Sequence, residues 1–340
     1  MENRKVIIIG GGPAGIEAAY NLALNNCSVT VLEKEAHIGG NINNIVKLFP
    51  SFVSADEIHE NFSQKSQHEN IKLYTNTDIT QLFFENDLWH AKDASGETYT
   101  ADALLLSTGF KTFDARFKEE LGYGIYSGVI TSVELEAMFK EGKITTPEGK
   151  IPQRIAFLNC VGSRDEKVGN HYCSRVCCIN AVKQSISIKE LLPDTEVFCF
   201  YMDIRMAGQF YEELYRKSQE KHNVNYIRGR ISEAAATIDN RVQIKCEDTL
   251  NQLPMKMTVD LLVLMVGTEA SDGTTNLGEQ VGVKGEYGFA KSLNLHGADN
   301  LTIKKGLFLA GSCKRPLTLP ETMADSRAAA FEILNYLNQN

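Results

Sequence analysis

The chain has no apolar run approaching the ~18 residues that a helix needs to cross a bilayer. It also has no block of lysine and arginine to set against its net charge of -8. The first absence excludes a membrane-spanning helix. The second excludes nucleic acid as the main partner, because there is no basic footprint for a phosphate backbone. The opening MENRKVIIIGGG has a basic start, yet the apolar run Val6–Ile9 is too short for a secretion signal, and glycines stand where a cleavage site would be. A cytoplasmic location is therefore expected. In a reducing compartment, clustered thiols bind metal or do redox chemistry rather than form structural disulfides. What is present is the composition of an ordinary globular protein: 340 residues, 43% hydrophobic and 23% charged, enough for one large domain or two of usual size.

The N-terminal KVIIIGGGPAGIEAAYNLALNNCSVTVLEKE reads as strand, glycine turn, helix and second strand. Val6–Ile9 is a β-branched run of the kind buried in a parallel sheet. Gly10, Gly12 and Gly15 follow in G-x-G-x-x-G spacing, with Pro13 and Ala14 opening the helix. Gly10 permits the tight turn, Gly12 leaves room for a pyrophosphate, and Gly15 lets helix and strand approach. The helix N-terminus offers unpaired N–H groups and a positive dipole end to the anion. Glu33 lies 18 residues after Gly15 and ends the second strand, where an acid accepts hydrogen bonds from ribose hydroxyls. The fold class expected is α/β with dinucleotide binding.

A second unit of this kind begins and then changes. RIAFLNC (154–160) and TEVFCFYMDI (195–204) read as its two strands, with the helix INAVKQSISIKELL between, but no G-x-G-x-x-G follows the first strand. In its place stands CVGSRDEKVGNHYCSRVCC, which holds Cys160, Cys173, Cys177 and Cys178, four of the chain's eight cysteines. Cys173 and Cys177 are spaced as one helical turn, and Cys177 and Cys178 fall at a helix start, where the dipole favours thiolates. Four thiolates match the ligand set of a [4Fe–4S] cluster. Zinc is a rival, although its usual pair of C-x2-4-C knuckles is absent; a dithiol pair is another. Cys27, Cys199 and Cys246 read as core thiols, Cys313 is open between core and flavin, and His171 reads as a solvated loop residue.

Several segments resemble flavoproteins with two dinucleotide-binding domains, the thioredoxin-reductase-like architecture. They are the Gly39–Gly40 pair after the second strand, ADALLLSTGF (101–110), and GLFLAGSC (306–313) ahead of an Ala-rich helix. Ser107 replaces the usual Ala of A-T-G, and Ser312 the usual Asp after Gly311. This resemblance implies FAD in a discontinuous domain, residues 1–115 and 290–340, interrupted by an inserted domain, 116–289, with the cysteine loop 160–178 in place of an NAD(P) site.

The cysteine segment with INAVKQS behind it is similar to the A subunit of heterodisulfide reductases. So are STGFKTFDARFKEELGYGIYSGVITSVELEAMF (107–139), LFPSF after Lys47, and the ending GLFLAGSCKRPLTLPETMADSRAAA. The likeness covers essentially the whole chain. It implies FAD contacts at Gly10, Gly12, Pro13, Ala14, Gly15, Glu33, Lys34, Gly40, Asn41, Lys47, Ile79, Thr108, Gly109, Gly311, Ser312 and Thr322. It implies a [4Fe–4S] cluster on Cys160, Cys173, Cys177 and Cys178, and Lys183 beside flavin N5, a residue that otherwise reads as an exposed helix lysine. A homodimer within a larger complex, with B- and C-type partner subunits and lipoate-binding or other sulfur carriers, is also implied. The chain departs from the methanogen pattern. It lacks the N-terminal extension and any C-x2-C-x2-C run, and it carries PLTLP, with Leu317, where PKDIP would place a lysine. The expected function is electron transfer between flavin and cluster in sulfur-compound oxidation, without bifurcation. The alternatives are the A subunit of a quinone-interacting complex and a stand-alone flavin-dependent dithiol oxidoreductase.

Overall fold

The computed structural model describes residues 4–339. Among them no helix is long and apolar enough to cross a membrane. The chain divides into two compact units. One comprises residues up to 43 with 55–111 and from 269 onward; the other comprises 44–54 and 112–268.

The first unit is built on a five-stranded parallel sheet in the order Leu307–Leu309, Ala103–Leu106, Lys5–Ile9, Ser28–Leu32, Ile71–Tyr74. The central strands are apolar on both faces because helices cover one face and an antiparallel sheet the other. Leu104, Leu105 and Leu106 are fully buried, each worth about 1.5–3 kcal/mol of burial. On the helical face, Pro13–Leu24 packs beside Leu319–Gln339. Alanines at 14, 18, 19, 329 and 330 keep the side chains short enough for that approach. Thr318 and Glu321 form a reciprocal cap at the start of the long helix: the Thr318 N–H donates to Glu321 Oε2 at 2.8 Å and the Glu321 N–H to Thr318 Oγ1 at 3.4 Å. The other face is covered by Ile79–Glu85, Leu88–Asp93 and Thr98–Ala101. Trp89 is buried there, and its indole N–H donates to the Lys305 carbonyl at 3.0 Å.

The second unit repeats the plan. Its parallel sheet runs Val129–Thr131, Leu261–Val266, Arg154–Val161, Glu196–Tyr201, Asn225–Arg228. Ser132–Lys140, Cys177–Leu191 and Tyr211–Glu220 are its helices, and Ile231–Ala236, Val242–Asp248 and Leu253–Val259 its antiparallel sheet. Cys177–Leu191 is buried almost all round, which is why its sequence shows no polar stripe. Residues 44–54 belong to this unit through specific contacts. Glu136 accepts from the Val46 N–H at 3.1 Å, the Lys47 carbonyl accepts from Lys183 at 3.1 Å, and Phe49 meets Tyr211 edge to face.

Candidate functional site

In the first unit the glycine turn follows from close approaches. Gly10 has φ 107°, and a methyl there would lie 2.4 Å from the Ser107 carbonyl oxygen. A methyl on Gly15 would lie 1.9 Å from the Gly10 carbonyl oxygen. Gly12 is different: a methyl there meets nothing within 4 Å. Gly12 caps the helix, no side chain supplies a capping bond, and Pro13 occupies the first helical turn. The helix N-terminus therefore faces open space with its N–H groups unspent on side chains.

Gly40 adjoins this opening, and Gly311 packs against Ala14 beside it. Gly40 has φ 53° and lies within 3.4 Å, Cβ position to Cα, of Gly12. Gly311 has φ 75°, and a methyl on it would lie 2.7 Å from Ala14 Cβ and 3.4 Å from the Thr322 methyl. Gly109 is open to 4 Å, with φ 66°. Thr108 shares a 2.6 Å hydrogen bond with Thr274, and Asn41 donates to the Phe110 carbonyl at 3.0 Å. Glu33 is buried; its carboxylate accepts from the Gly11 N–H at 2.6 Å and the Glu35 N–H at 2.8 Å. Ser107 is tied inward, its hydroxyl 3.0 Å from the carbonyls of Ile9 and Gly10. Ser312 and Ile79 are buried. Lys34 is exposed and pairs with Glu35 at 3.4 Å. Lys47 and Lys183 lie in the second unit.

Sequence reasoning missed how Gly311 is held. Its N–H donates to Asp325 at 2.6 Å, and Asp325 also accepts from Lys314 Nζ at 2.6 Å. Lys314 is almost fully buried and donates to Asp299 at 2.8 Å, which Arg315 grips with two N–H groups. The adjacent cations of KRP, followed eleven residues beyond Lys314 by Asp325 in the helix, were the available signal. Cys313 lies in the core. Its thiol donates to the Leu106 and Ala310 carbonyls, and burial pushes it up to about 12. Cys27 and Cys246 are raised by burial, and burial pushes Cys199 up to about 12. All four are neutral core thiols.

In the second unit the cysteine segment leaves the end of Arg154–Val161 and returns as the start of Cys177–Leu191. Cys177 and Cys178 are the first two helical residues, buried among apolar side chains. Cys173 stands outside the helix, so its four-residue spacing from Cys177 is not a helical turn. Arg175 at φ 61° and the Val176 N–H bond back to Ser174 break the helical path. Cys160 (φ 62°) and Arg164 (φ 53°) are also left-handed, with Gly162 and Gly169 between and after them. Three non-glycine residues in this region cost about 1–3 kcal/mol each and occur where function holds them.

All eight cysteines are free. Cys160, Cys177 and Cys178 hydrogen-bond in a chain, and Cys173 Sγ accepts the Arg175 N–H at 3.3 Å. The hydrogen bond from Cys177 draws the Cys178 thiol down to about 7 against burial, helped by the Arg205 N–H. Cys160 is lowered chiefly by its bond with Cys177 and also by Arg164, whereas Cys177 itself is pushed well up by both neighbouring thiols and burial. Arg164 is in electrostatic reach of Cys160, Cys173 and Cys178, so one guanidinium spans most of the set. Among the described residues, no three His, Cys, Asp or Glu side chains converge as ligands of a single metal ion. A lone zinc would need all its thiolates about 2.3 Å away; a cluster spreads its cysteines over a larger body. Ser163 Oγ, Asn159 Oδ1 and Thr268 Oγ1 flank the segment, buried and without a partner. A cavity of about 20 Å³, room for one water, adjoins Cys160 between Asn159, Lys118, Asp165 and Arg230. The two lowered thiols, Cys160 and Cys178, the orphaned hydroxyls of Ser163 and Thr268 and the nearby Arg164 fit a sulfur-rich anionic cluster. His171 is exposed.

Lys183 is not an exposed lysine. It is 2% exposed in the middle of Cys177–Leu191, because that helix is wrapped on all sides. Its ammonium pairs with buried Glu136 and donates to the Lys47 carbonyl. Burial pulls it below its usual value, against the pull of Glu136. Gln184 donates to Glu136 at 2.7 Å, and its Oε1 is unpartnered. No spacing in the sequence signals that Glu136 and Lys183 meet.

Residues 4–143 match the pyridine nucleotide-disulphide oxidoreductase family. The chain is 30% identical to the A subunit of the ferredoxin/F420H2-dependent CoB-CoM heterodisulfide reductase of Methanosarcina acetivorans, over 98% of this chain and 53% of that protein. It is 31% identical to one of the iron-sulfur A subunits of CoB–CoM heterodisulfide reductase in Methanopyrus kandleri, over 98% and 64%. The chain thus spans between about half and two thirds of these relatives. Among solved structures, the thioredoxin reductase of Lactococcus lactis superposes with a TM-score of 0.72 at 16% identity, covering 99% of this chain and 100% of that one. That of T. acidophilum gives 0.68 at 18%, covering 99% of each. The architecture is the thioredoxin-reductase-like α/β fold of flavin oxidoreductases, and the chain belongs to the family of heterodisulfide reductase A subunits, which it matches along nearly its whole length.

Proposed function

We propose that this chain is an electron-transfer subunit carrying FAD in its first unit and a [4Fe–4S] cluster on Cys160, Cys173, Cys177 and Cys178 in its second. The observation that carries the reading is the replacement of a phosphate-binding turn. Where the second parallel sheet sends its strand Arg154–Val161 into a helix, the connection holds four thiols instead of a glycine fingerprint. A nicotinamide site has no cradle there.

When bound, the flavin supplies two-electron chemistry and the cluster one-electron relay. The chain's own residues bind and tune. The open N-terminus at Gly12 suits the pyrophosphate, Glu33 the ribose, and Gly40, Asn41, Thr108, Gly109, Gly311, Ser312 and Thr322 the remaining flavin contacts, with Pro13, Ala14, Gly10, Gly15, Lys34 and Ile79 forming the walls. Lys47 and Lys183 belong to the second unit, where Glu136 holds the Lys183 ammonium in place. Partners resembling heterodisulfide reductase B and C subunits, with a sulfur carrier, would exchange the electrons in sulfur-compound oxidation without bifurcation. Half-buried Leu317, standing where a lysine would be, supports that last restriction. The A subunit of a quinone-interacting complex is a narrower variant of the same reading. A stand-alone dithiol enzyme, exchanging through Cys177–Cys178 or Cys160–Cys173, is the alternative reading.

Anaerobic purification followed by iron, sulfide and flavin analysis tests the reading. About four iron, four sulfide and one FAD per chain are expected. A colourless protein, or one with zinc and no sulfide, refutes it.

A further inference from the structure

Arg164 is one of three cations in the cysteine segment, with Lys167 and Arg175, and the only one of the three that is not exposed. Its backbone is left-handed, and its N–H donates to the Tyr172 carbonyl at 2.9 Å, so the hairpin between Cys160 and Cys173 fixes where its side chain starts. The side chain is largely covered. The guanidinium lies in reach of the Cys160 sulfur, and its Nη1 pairs with Asp203. Asp203 follows the neighbouring strand Glu196–Tyr201, and its own carbonyl faces Cys178 at 3.9 Å. Arg175 and Arg205 are more exposed; Arg205 meets Asp203 only at 3.4 Å. Arg164 therefore combines cover, a fixed origin and reach of the sulfur.

We propose that Arg164 sets the reduction potential of the four-cysteine centre, with Asp203 both aiming the guanidinium and moderating its charge. The proposal rests on the cluster reading given under Proposed function. Adding an electron makes a thiolate-bound cluster more negative, and a nearby permanent cation favours that state. Hydrogen bonds to cluster sulfurs act in the same direction. Removing the cation makes the centre harder to reduce; removing Asp203's charge makes it easier. The device adjusts the driving force for passing one electron and takes no part in bond making.

The test is an EPR-monitored redox titration of the anaerobically purified full chain, with iron and sulfide counted in every sample. R164Q is expected to lower the equilibrium constant for cluster reduction about tenfold, a shift of about 59 mV to more negative potential for a one-electron couple. R164K recovers most of the shift, and D203N moves the potential the opposite way. A loaded R164Q centre titrating at the wild-type potential overturns the proposal. So does a D203N shift of the same sign as R164Q. Loss of iron from R164Q with iron kept in R164K and an unmoved D203N also overturns it, because Arg164 would then serve assembly alone. Wild-type protein without iron and sulfide refutes the cluster reading instead.

Discussion

Two glycines three residues apart separate what the turn needs for folding from what it needs for a ligand. Gly12 has φ −74° and ψ −175°, a conformation open to any residue, and a methyl there touches no protein atom within 4 Å. Losing a glycine cap for alanine weakens the helix start, while the stiffer unfolded chain returns about 0.4–1 kcal/mol. The net change stays within about 1 kcal/mol, or about 3 °C in Tm. For a pyrophosphate crossing the helix end, the same methyl lies in the way. Displacing two charge-assisted N–H contacts at about 1.5–3 kcal/mol each weakens FAD binding about 10²–10⁴-fold, at tenfold per 1.4 kcal/mol. Gly15→Ala behaves differently: its methyl would sit 1.9 Å from the Gly10 carbonyl oxygen, so strand and helix must part, and stability falls along with flavin content. The assay is flavin absorbance per chain and FAD titration of apoprotein, beside thermal unfolding of the flavin-free chains. Gly12→Ala that binds FAD as wild type does would refute the placement of the pyrophosphate. Gly12→Ala that unfolds as readily as Gly15→Ala would refute the claim that space at Gly12 serves only a ligand.

Glu136→Gln leaves the Lys183 ammonium buried beside a neutral amide and should cost about 3–5 kcal/mol in urea unfolding. Lys183 already sits below its usual value, so the unfolded chain binds more protons and stability rises with pH; the deficit of the variant should shrink as pH approaches 10. Asp299 is held below the ordinary carboxylate range: burial works the other way, but hydrogen bonds from Arg315 and Lys314 prevail. Its contribution is complete above about pH 4 and is lost as pH falls toward the depressed value. Asp299→Asn should therefore cost about 1.5–3 kcal/mol at neutral pH, narrowing in acid unfolding below pH 4. Cys313→Ala should lower stability by about 1 kcal/mol and leave the flavin spectrum and dithionite reduction of the flavin unchanged; an altered flavin spectrum on thiol loss would put Cys313 beside the flavin rather than in the core.

Much of this was legible in the residues. The Val6–Ile9 strand, the glycine turn and Glu33 were readable because each obeys a short-range rule of spacing and burial. The second unit's strand Arg154–Val161 and helix Cys177–Leu191 were legible for the same reason. What escaped was long-range. Glu136 meets Lys183 from 47 residues away, and nothing local distinguishes a lysine that ends buried from one on a solvated face. Asp325 reaching Gly311 across a helix cap, and the left-handed turns at Arg164 and Arg175, depend on tertiary closure that side-chain type does not announce. The i, i+4 spacing of Cys173 and Cys177 suggested a helix that those turns prevent.

The order of strands in the two sheets bears on how the chain is born. The sheet spanning 129 to 266 is drawn from one stretch of polypeptide and can close while translation continues. The other sheet seats Leu307–Leu309 against Ala103–Leu106 and needs the Leu319–Gln339 helix to cover Pro13–Leu24. On the ribosome, Lys5–Ile9 and Ser28–Leu32 therefore wait for Leu307–Leu309 before their sheet is complete.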